Sequence, residues 1–266
     1  RGWRQWPDDS GRLELERWFV ARFDDAVEAS AAGVPDEHLL LYRHRNVYPA
    51  SDPGLRALTK AYLDAASRLA QRLTGLFADA LAVPAERFAS VGHDTTRITV
   101  NEYPTWVWPD EDDEDDDEKL LLLEHADGNV LTLLRQGGSY EGLQIQLPDG
   151  DWTSVPIVPD AFVVLLGSST ARLTNDRWVT GRHRVIAGGS RRRRSTAIFY
   201  DPGTETVIAP IPELLDGGRA HYEPQTVWER ERTFVEDYLR VFARPDQREA
   251  WRNGTTYVAP VRTSAT

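Results

Sequence analysis

The sequence of 266 residues contains no cysteine and no methionine. The lack of cysteine excludes disulfides, cysteine-based zinc fingers and thiol nucleophiles. It also favours a reducing, cytoplasmic location. Because translation starts with methionine, we expect the chain to be a fragment that does not show its natural N-terminus. Lysine is scarce beside abundant arginine, alanine and aspartate, a bias typical of high-GC bacteria.

Long apolar runs and a basic surface are also missing. The longest apolar run, 161–166, is too short to span a bilayer and suits a buried strand. Nine of the eleven excess negative charges come from consecutive acidic residues at 110–118. A protein without a basic face gains nothing from nucleic-acid phosphates, so we expect neither a nucleic-acid nor a membrane partner. We interpret the acidic run as a solvated loop, with a lid or partner-docking segment as the alternative.

Many short, apolar or alternating segments follow one another between residues 96 and 200. Turn-forming dipeptides such as Asp127-Gly128 and Gly188-Gly189 separate them. The predicted strands are 96–100, 120–124, 130–134, 143–147, 152–155, 161–166, 185–187 and 195–200. This pattern is typical of a β-sandwich or jelly roll.

Two helices flank the predicted strands. Apolar residues recur at three- and four-residue steps over 55–77, between Pro53-Gly54 and Pro84. A second helix is predicted at about 226–242. We see no linker, so 1–266 is interpreted as a single domain with its β core at about 96–200. Residues 1–50 are mixed, and no element is assigned to them.

Polar residues recur at i, i+2 spacing in the β region, which places both members of a pair on one face of a strand. Two imidazoles and one carboxylate suit a facial triad for non-haem Fe(II), which leaves positions open for O2 and a co-substrate. An arginine and a hydroxyl beyond them suit a carboxylate anchor. The candidate residues are Asn101, Tyr103, His125, Asp127, His183, Arg193 and Ser195.

Each of these units is a weak signal when taken alone. A His-x-Asp pair or a lone histidine is usually structural, and it is the combination in one β region that indicates an oxygen-activating iron enzyme. Alternation along the last strand directs Arg193 and Arg194 to opposite faces, and we interpret Arg194 as solvent-facing. The remaining histidines lack ligand-like spacing and are interpreted as non-catalytic: His38, His44, His93 and His221.

In these motifs the chain resembles the isopenicillin N synthase-like branch of the Fe(II)/2-oxoglutarate-dependent dioxygenases. The resemblance runs densely and in family order over residues 96–200. The matching segments are Asn101-Glu-Tyr103-Pro104, His125-Ala-Asp127-Gly128, 131–134, 142–145, 149–152, 164–167, 173–175, His183-Arg-Val185 and Arg193-Arg-Ser195.

The resemblance implies a double-stranded β-helix (jelly roll) framed by helices. It implies that His125, Asp127 and His183 bind Fe(II). It further implies that Arg193 and Ser195 hold the distal carboxylate of 2-oxoglutarate, and that Tyr103 and Asn101 complete that pocket.

The chain also departs from the family pattern. The family's opening segment, with its first strand and the motif before the sheet, is not visible in the sequence, which supports the fragment interpretation. The usual Gly-Asp after the buried strand is replaced by Gly167-Ser168.

The implied reaction consumes 2-oxoglutarate and O2, yields succinate and CO2, and hydroxylates, desaturates, cyclises or epimerises a small molecule. Composition suggests natural-product tailoring such as antibiotic biosynthesis. One alternative is a 2-oxoglutarate-independent oxidase of the isopenicillin N synthase type, in which the Arg-x-Ser pair holds the substrate's own carboxylate. Another is a non-catalytic jelly-roll binding protein whose acidic run docks a basic partner.

The sequence leaves the substrate and the oligomeric state open. Residues near the strand ends are candidates to line a substrate pocket, but periodicity alone does not assign them. These candidates are Arg97, Thr99, Trp106, Arg172 and Phe199.

Overall fold

A computed structural model describes residues 2–7, 13–105, 119–188 and 191–242 of the chain. The acidic run 110–118 and Trp106 lie outside these ranges, so the interpretations placed on them stay predictions. Within the described ranges, no helix combines the length and the apolar character needed to cross a membrane.

The described residues form twelve strands and four α-helices. The strands are β1 (Gly2–Pro7), β2 (Leu13–Ala21), β3 (Arg97–Tyr103), β4 (Leu120–His125), β5 (Leu131–Gly138), β6 (Leu143–Gln146), β7 (Trp152–Ser154), β8 (Val163–Leu166), β9 (His183–Ile186), β10 (Arg193–Tyr200), β11 (Val207–Ile208) and β12 (Gln225–Thr226). The helices are α1 (Ala26–Ala31), α2 (Leu55–Leu81), α3 (Ser168–Leu173) and α4 (Val227–Phe242).

Two antiparallel sheets face each other and form a jelly roll. The larger has the order β1-β2-β3-β10-β5-β8, and the smaller has the order β4-β9-β6-β7. Because strand side chains alternate between faces, each strand contributes every second residue to the space between the sheets. The core there joins residues of both sheets: Leu15, Leu134 and Leu165 from the larger, and Leu121, Leu143 and Val185 from the smaller.

Helix α2 covers the outer face of the larger sheet. Its buried residues Leu63, Ala66 and Ala70 belong to the same core as Ile98 of β3 and Ile198 of β10. The helix ends at Leu81, because the next residue, Ala82, adopts a left-handed conformation (φ 54°) that stops the α-helical hydrogen-bond pattern. The periodicity over 55–77 therefore predicted the helix and its packing on a sheet, but it marked the buried face only in part. Leu58 and Leu76 of the apolar series are exposed, whereas Thr59, Ser67 and Thr74 are buried.

The predicted strands between 96 and 200 are confirmed, with changes at their ends. Strand β9 begins at His183 and β10 at Arg193, two residues earlier than predicted in each case. The strand predicted at 161–166 begins only at Val163, because Asp160 adopts a positive φ of 57° in the preceding turn. The earlier starts matter, since they place His183 and Arg193 on regular strands.

Strands β1 and β2 lie in the region to which the sequence assigned no element. Strand β2 pairs with β3 in register, with Phe19 opposite Thr99 and Arg17 opposite Asn101. The alternation of Leu13, Leu15 and Phe19 was a usable signal. It was obscured because the inward position between Leu15 and Phe19 carries the charged Arg17.

Candidate active site

The three candidate metal ligands lie together at one end of the space between the sheets. His125 ends β4, His183 begins β9, and the two residues are direct partners in the strand register. Their ring centroids are 4.2 Å apart. Asp127 follows β4 by two residues, and its Oδ1 lies 3.8 Å from His125 Nε2. One ligand atom from each of the three residues lies within 4.8 Å of the others.

Each ligand is oriented by a contact made through its other polar atom. His125 Nδ1 donates to the carbonyl of Leu123 at 2.8 Å, and His183 Nδ1 donates to the carbonyl of Gly181 at 2.9 Å. Because a carbonyl only accepts, these contacts fix the proton on Nδ1 and leave Nε2 with its lone pair. Asp127 Oδ2 accepts from Thr132 Oγ1 at 2.6 Å, which leaves Oδ1 for a metal.

The donor set fits Fe(II). Burial lowers the pKa of His183, against the opposing effect of Asp127, and so favours the neutral imidazole that a metal requires. Two imidazole nitrogens and one carboxylate oxygen on one side of a site are the ligands typical of non-haem Fe(II) oxygenases. The described residues of this cluster could therefore hold one divalent ion.

Metal addition is expected to stabilise the fold. A ligand that binds only the folded state, at a free concentration 100 times its Kd, adds about 2.7 kcal/mol to the free energy of unfolding. For a chain of this size, that corresponds to a rise in Tm of roughly 5 to 10 °C. Thermal unfolding with and without Mn(II) or anaerobic Fe(II) tests this, and H183A is expected to lose the shift. An equal shift in wild type and H183A would contradict the assignment of the site.

A buried arginine lies on the facing sheet. Arg193 is 1% exposed, and its guanidinium carbon lies 5.0 Å from the centre of the Tyr103 ring. Its Nη2 donates to Gln136 Oε1 at 3.2 Å, whereas Nε and Nη1 have no hydrogen-bond partner. A buried guanidinium with two nitrogens that lack a hydrogen-bond acceptor is unfavourable unless an anion completes it. The orphaned atoms fit the carboxylate of a bound co-substrate.

Ser195 and Asn101 lie beside this arginine. The register pairs Arg193 with Tyr103 and Ser195 with Asn101. Asn101 Nδ2 donates to Ser195 Oγ at 3.3 Å, so the Ser195 proton remains available for a carboxylate oxygen. Asn101 Oδ1 in turn accepts from Arg17 Nε at 2.7 Å. The structure thus places Asn101 as the residue that orients Ser195, a finer placement than the sequence suggested.

The neighbours of these residues behave as alternation predicts. Arg194 points to the other face, is exposed, and pairs with Glu102 at 2.6 Å. His38 Nδ1 lies 2.8 Å from Thr204 Oγ1, and His221 pairs with Asp176. Among the described residues, His38, His44, His93 and His221 do not join the metal cluster.

Sequence reasoning missed Thr132 and Gln136, which support the two halves of the site. Both lie on β5 at the same two-residue spacing as Leu134, which faces the space between the sheets. That alternation was the available signal. The partner of Gln136, Arg193, could be recognised only from the fold, because it lies on a different strand. The partner of Thr132, Asp127, lies five positions earlier, in the turn before β5.

Arg230 on α4 was also missed, and it holds the loop that carries Asp127. Its guanidinium donates to the carbonyl of Gly128 at 3.0 Å. It forms a bidentate ion pair with Asp201, with distances of 3.0 and 2.7 Å. It also donates to Glu231, which pairs with Arg97 of β3. Burial would raise the pKa of Glu231, but Arg97 and Arg230 outweigh it and hold that pKa at about 2.

Loss of Arg230 is expected to destabilise the protein. R230Q leaves the buried Asp201 carboxylate without its partner, which costs about 3–5 kcal/mol in comparable buried pairs. Within the described part of the chain, the exposed Arg232 on the same helix forms an i, i+4 pair with Glu236 at 3.7 Å. R232Q is the matched control and should change stability by no more than about 0.5 kcal/mol. Urea unfolding measures both, and equal stability of the two variants would contradict the role given to Arg230.

The family model of the 2OG-Fe(II) oxygenase superfamily matches residues 95–202. This span contains the three metal-ligand candidates and the Arg193-x-Ser195 pair. It corresponds to strands β3 to β10, which form most of the jelly roll.

Curated relatives match over a longer stretch. Gibberellin 2-beta-dioxygenase 4 of Arabidopsis thaliana is 32% identical over 188 residues, which are 64% of this chain and 57% of the relative. 1-Aminocyclopropane-1-carboxylate oxidase 1 of Oryza sativa subsp. japonica is 31% identical over 201 residues, which are 74% of this chain and 58% of the relative. The chain thus spans less than three fifths of the length of these relatives.

Solved structures share the fold. JOX2 in complex with 2OG, Fe and JA has a TM-score of 0.66 at 24% identity, covering 88% of this chain and 64% of that one. A full-length Neurospora crassa protein in complex with alpha-KG and 5-formyluracil has a TM-score of 0.69 at 23% identity, covering 88% and 72%. With the jelly roll and the His-Asp-His cluster, the family and relative matches show that the chain belongs to the 2OG-Fe(II) oxygenase superfamily.

Proposed function

We propose that the protein is a non-haem Fe(II)- and 2-oxoglutarate-dependent oxygenase that oxidises a small organic molecule. The observation that carries this proposal is the pairing of two clusters across the jelly roll. Three ligand atoms converge within 4.8 Å on one side, and a buried arginine with two unpartnered nitrogens lies on the other.

In this proposal His125, Asp127 and His183 hold the iron. Bound Fe(II) would supply O2 activation coupled to oxidative decarboxylation of 2-oxoglutarate to succinate and CO2, with oxidation of the substrate. The contacts of Leu123, Gly181 and Thr132 keep the three ligand side chains oriented in the absence of the ion.

Arg193 and Ser195 bind the distal carboxylate of 2-oxoglutarate. The guanidinium keeps N–H groups on both Nε and Nη1 available to the carboxylate, and the Ser195 hydroxyl adds a further hydrogen bond. Tyr103 packs against the guanidinium, and Gln136 holds its remaining edge. Apolar residues of both sheets surround this pocket and exclude water, which strengthens the charge pairing.

The substrate is proposed to be a small organic acid or heterocycle. The relatives are named for gibberellin and 1-aminocyclopropane-1-carboxylate, and the solved neighbours contain JA or 5-formyluracil. These compounds form a first screening panel. We also propose, on composition alone, a role in natural-product tailoring inside the cytoplasm.

The test is O2 consumption by the Fe(II)-loaded protein with and without 2-oxoglutarate, followed by succinate analysis, across the substrate panel. The proposal predicts O2 uptake that depends on 2-oxoglutarate and is accompanied by succinate. If O2 uptake depends on the substrate but is the same with and without 2-oxoglutarate, the protein is an oxidase in which Arg193 and Ser195 hold the substrate's own carboxylate. If the wild-type protein does not bind iron, and H125A binds compounds of the panel as tightly as wild type does, the protein is a non-catalytic binding protein.

A further inference from the structure

Three buried side-chain atoms of the described residues have no hydrogen-bond partner. Two are Nε and Nη1 of Arg193, and the third is Oγ1 of Thr99. Buried polar groups without a partner are unfavourable, so each calls for a physical explanation. The co-substrate accounts for the two arginine atoms. The hydroxyl of Thr99, a residue only 3% exposed, still has no explanation for its missing hydrogen-bond partner.

Thr99 faces the space between the two sheets. It lies on β3 at two-residue spacing from Asn101 and Tyr103, which contact Ser195 and Arg193 on that face. The intervening residues Ile98 and Val100 pack into the other core, against helix α2. Alternation therefore directs the Thr99 side chain into the same space between the sheets as the carboxylate anchor.

Thr99 lies closer to the metal ligands than the carboxylate anchor does. The register pairs Tyr103 with Arg193 and Thr99 with Ala197. The four residues from Tyr103 to Thr99 correspond to about 13 Å along the strand. Two residues beyond Ala197 on β10, Phe199 is paired with Thr132, whose hydroxyl holds Asp127. Thr99 is therefore displaced from the co-substrate's anchor towards the level of the metal ligands.

Aromatic side chains and a neutralised ion pair surround Thr99. Phe19 of β2 is directly opposite it in the register, and Phe199 is diagonal to it on β10. Both rings are only partly buried. Arg97, on the same face of β3, is paired with Glu231. The register thus places two aromatic side chains beside the Thr99 hydroxyl, and the charge of Arg97 is already compensated by Glu231.

We propose that Thr99 is a specificity-determining residue that hydrogen-bonds a carbonyl or hydroxyl group of an apolar, ring-sized substrate at the metal end of the space between the sheets. The proposal rests on the proposed oxygenase function, because that function assigns the opposite end to 2-oxoglutarate. The hydroxyl holds the polar group, while Phe19 and Phe199 contact the ring. Substrates that lack this polar group lose the hydrogen bond and bind less tightly.

The test compares T99V, which replaces the hydroxyl by a methyl group, with T99S, which keeps it. Acetophenone and ethylbenzene serve as probes, because they share a ring and differ in the carbonyl. Their Kd values are measured for the metal-free protein and for the protein loaded with Mn(II) and 2-oxoglutarate. Wild type and T99S should prefer acetophenone by roughly three- to tenfold, and T99V should bind both probes equally. An unchanged preference in T99V would overturn the proposal.

Two controls separate other roles of the hydroxyl. The Tm of unliganded T99V should equal or exceed that of wild type, because an unpartnered hydroxyl is removed. A Tm lowered in T99V but not in T99S would overturn the proposal by showing a structural hydrogen bond. A raised KM for 2-oxoglutarate in T99V would overturn it by placing the hydroxyl on the co-substrate. Absence of 2-oxoglutarate consumption by wild type would count against the oxygenase function, and the metal-free probe affinities would still be readable.

Discussion

Replacement of Asp127 by alanine is expected to abolish metal binding and 2-oxoglutarate turnover together. Asp127 supplies the only carboxylate of the cluster, and its Oδ1 lies 3.8 Å from His125 Nε2. Loss of residues that merely orient metal ligands typically lowers metal affinity 10- to 100-fold. Loss of a ligand should therefore lower it by more than about 100-fold. Fe(II) or Mn(II) titration and succinate release measure the two effects.

The control for this variant is D79A, which removes an exposed carboxylate on helix α2, far along the chain from the site. D79A should bind metal and release succinate as wild type does. Both variants should show cooperative thermal unfolding in the absence of metal, so that a lost activity reflects the site. Metal-dependent succinate release by D127A would contradict the ligand role of Asp127.

Replacement of Arg193 by methionine is expected to raise the KM for 2-oxoglutarate by at least roughly 30-fold, the lower end expected for truncating a buried charge pair. Metal binding should be retained, because the ligands lie on the other sheet. The unliganded variant should be at least as stable as wild type, since a buried guanidinium with two unpartnered nitrogens is removed. Steady-state kinetics and urea unfolding check these two parts.

The matched control is R194M, one residue away on the same strand. Arg194 is exposed and pairs with Glu102 on the outer face. Its replacement should leave the KM for 2-oxoglutarate within about twofold, because an exposed pair contributes little. If R193M and R194M raise the KM for 2-oxoglutarate equally, the arginine run acts through its overall positive charge. That result would contradict the role of Arg193 as the specific anchor of the carboxylate.

The jelly-roll strands could be predicted because their signals are local. Alternation and turn dipeptides are set by neighbouring residues, and the same alternation separates Arg193 from Arg194. The His125-x-Asp127 pair is local as well. His183 lies 56 positions further on and became informative only as part of the ordered set of motifs.

What the sequence did not reveal depends on long-range contacts. Arg230 meets the carbonyl of Gly128 across 102 positions of the chain. Gln136 meets Arg193 only because β5 and β10 are neighbours in the sheet. Strand β2 escaped notice because an inward-facing position carries Arg17, which interrupts the apolar alternation but meets Asn101 in the folded protein. Polar residues inside a cavity weaken the very patterns by which strands are recognised.

The most direct measurement of the central claim is the fate of 18O from labelled O2 during turnover of 2-oxoglutarate by the Fe(II)-loaded protein. The account predicts succinate that carries one labelled oxygen atom, formed only when Fe(II), O2 and 2-oxoglutarate are all present, and absent with D127A. Consumption of O2 without labelled succinate would contradict it.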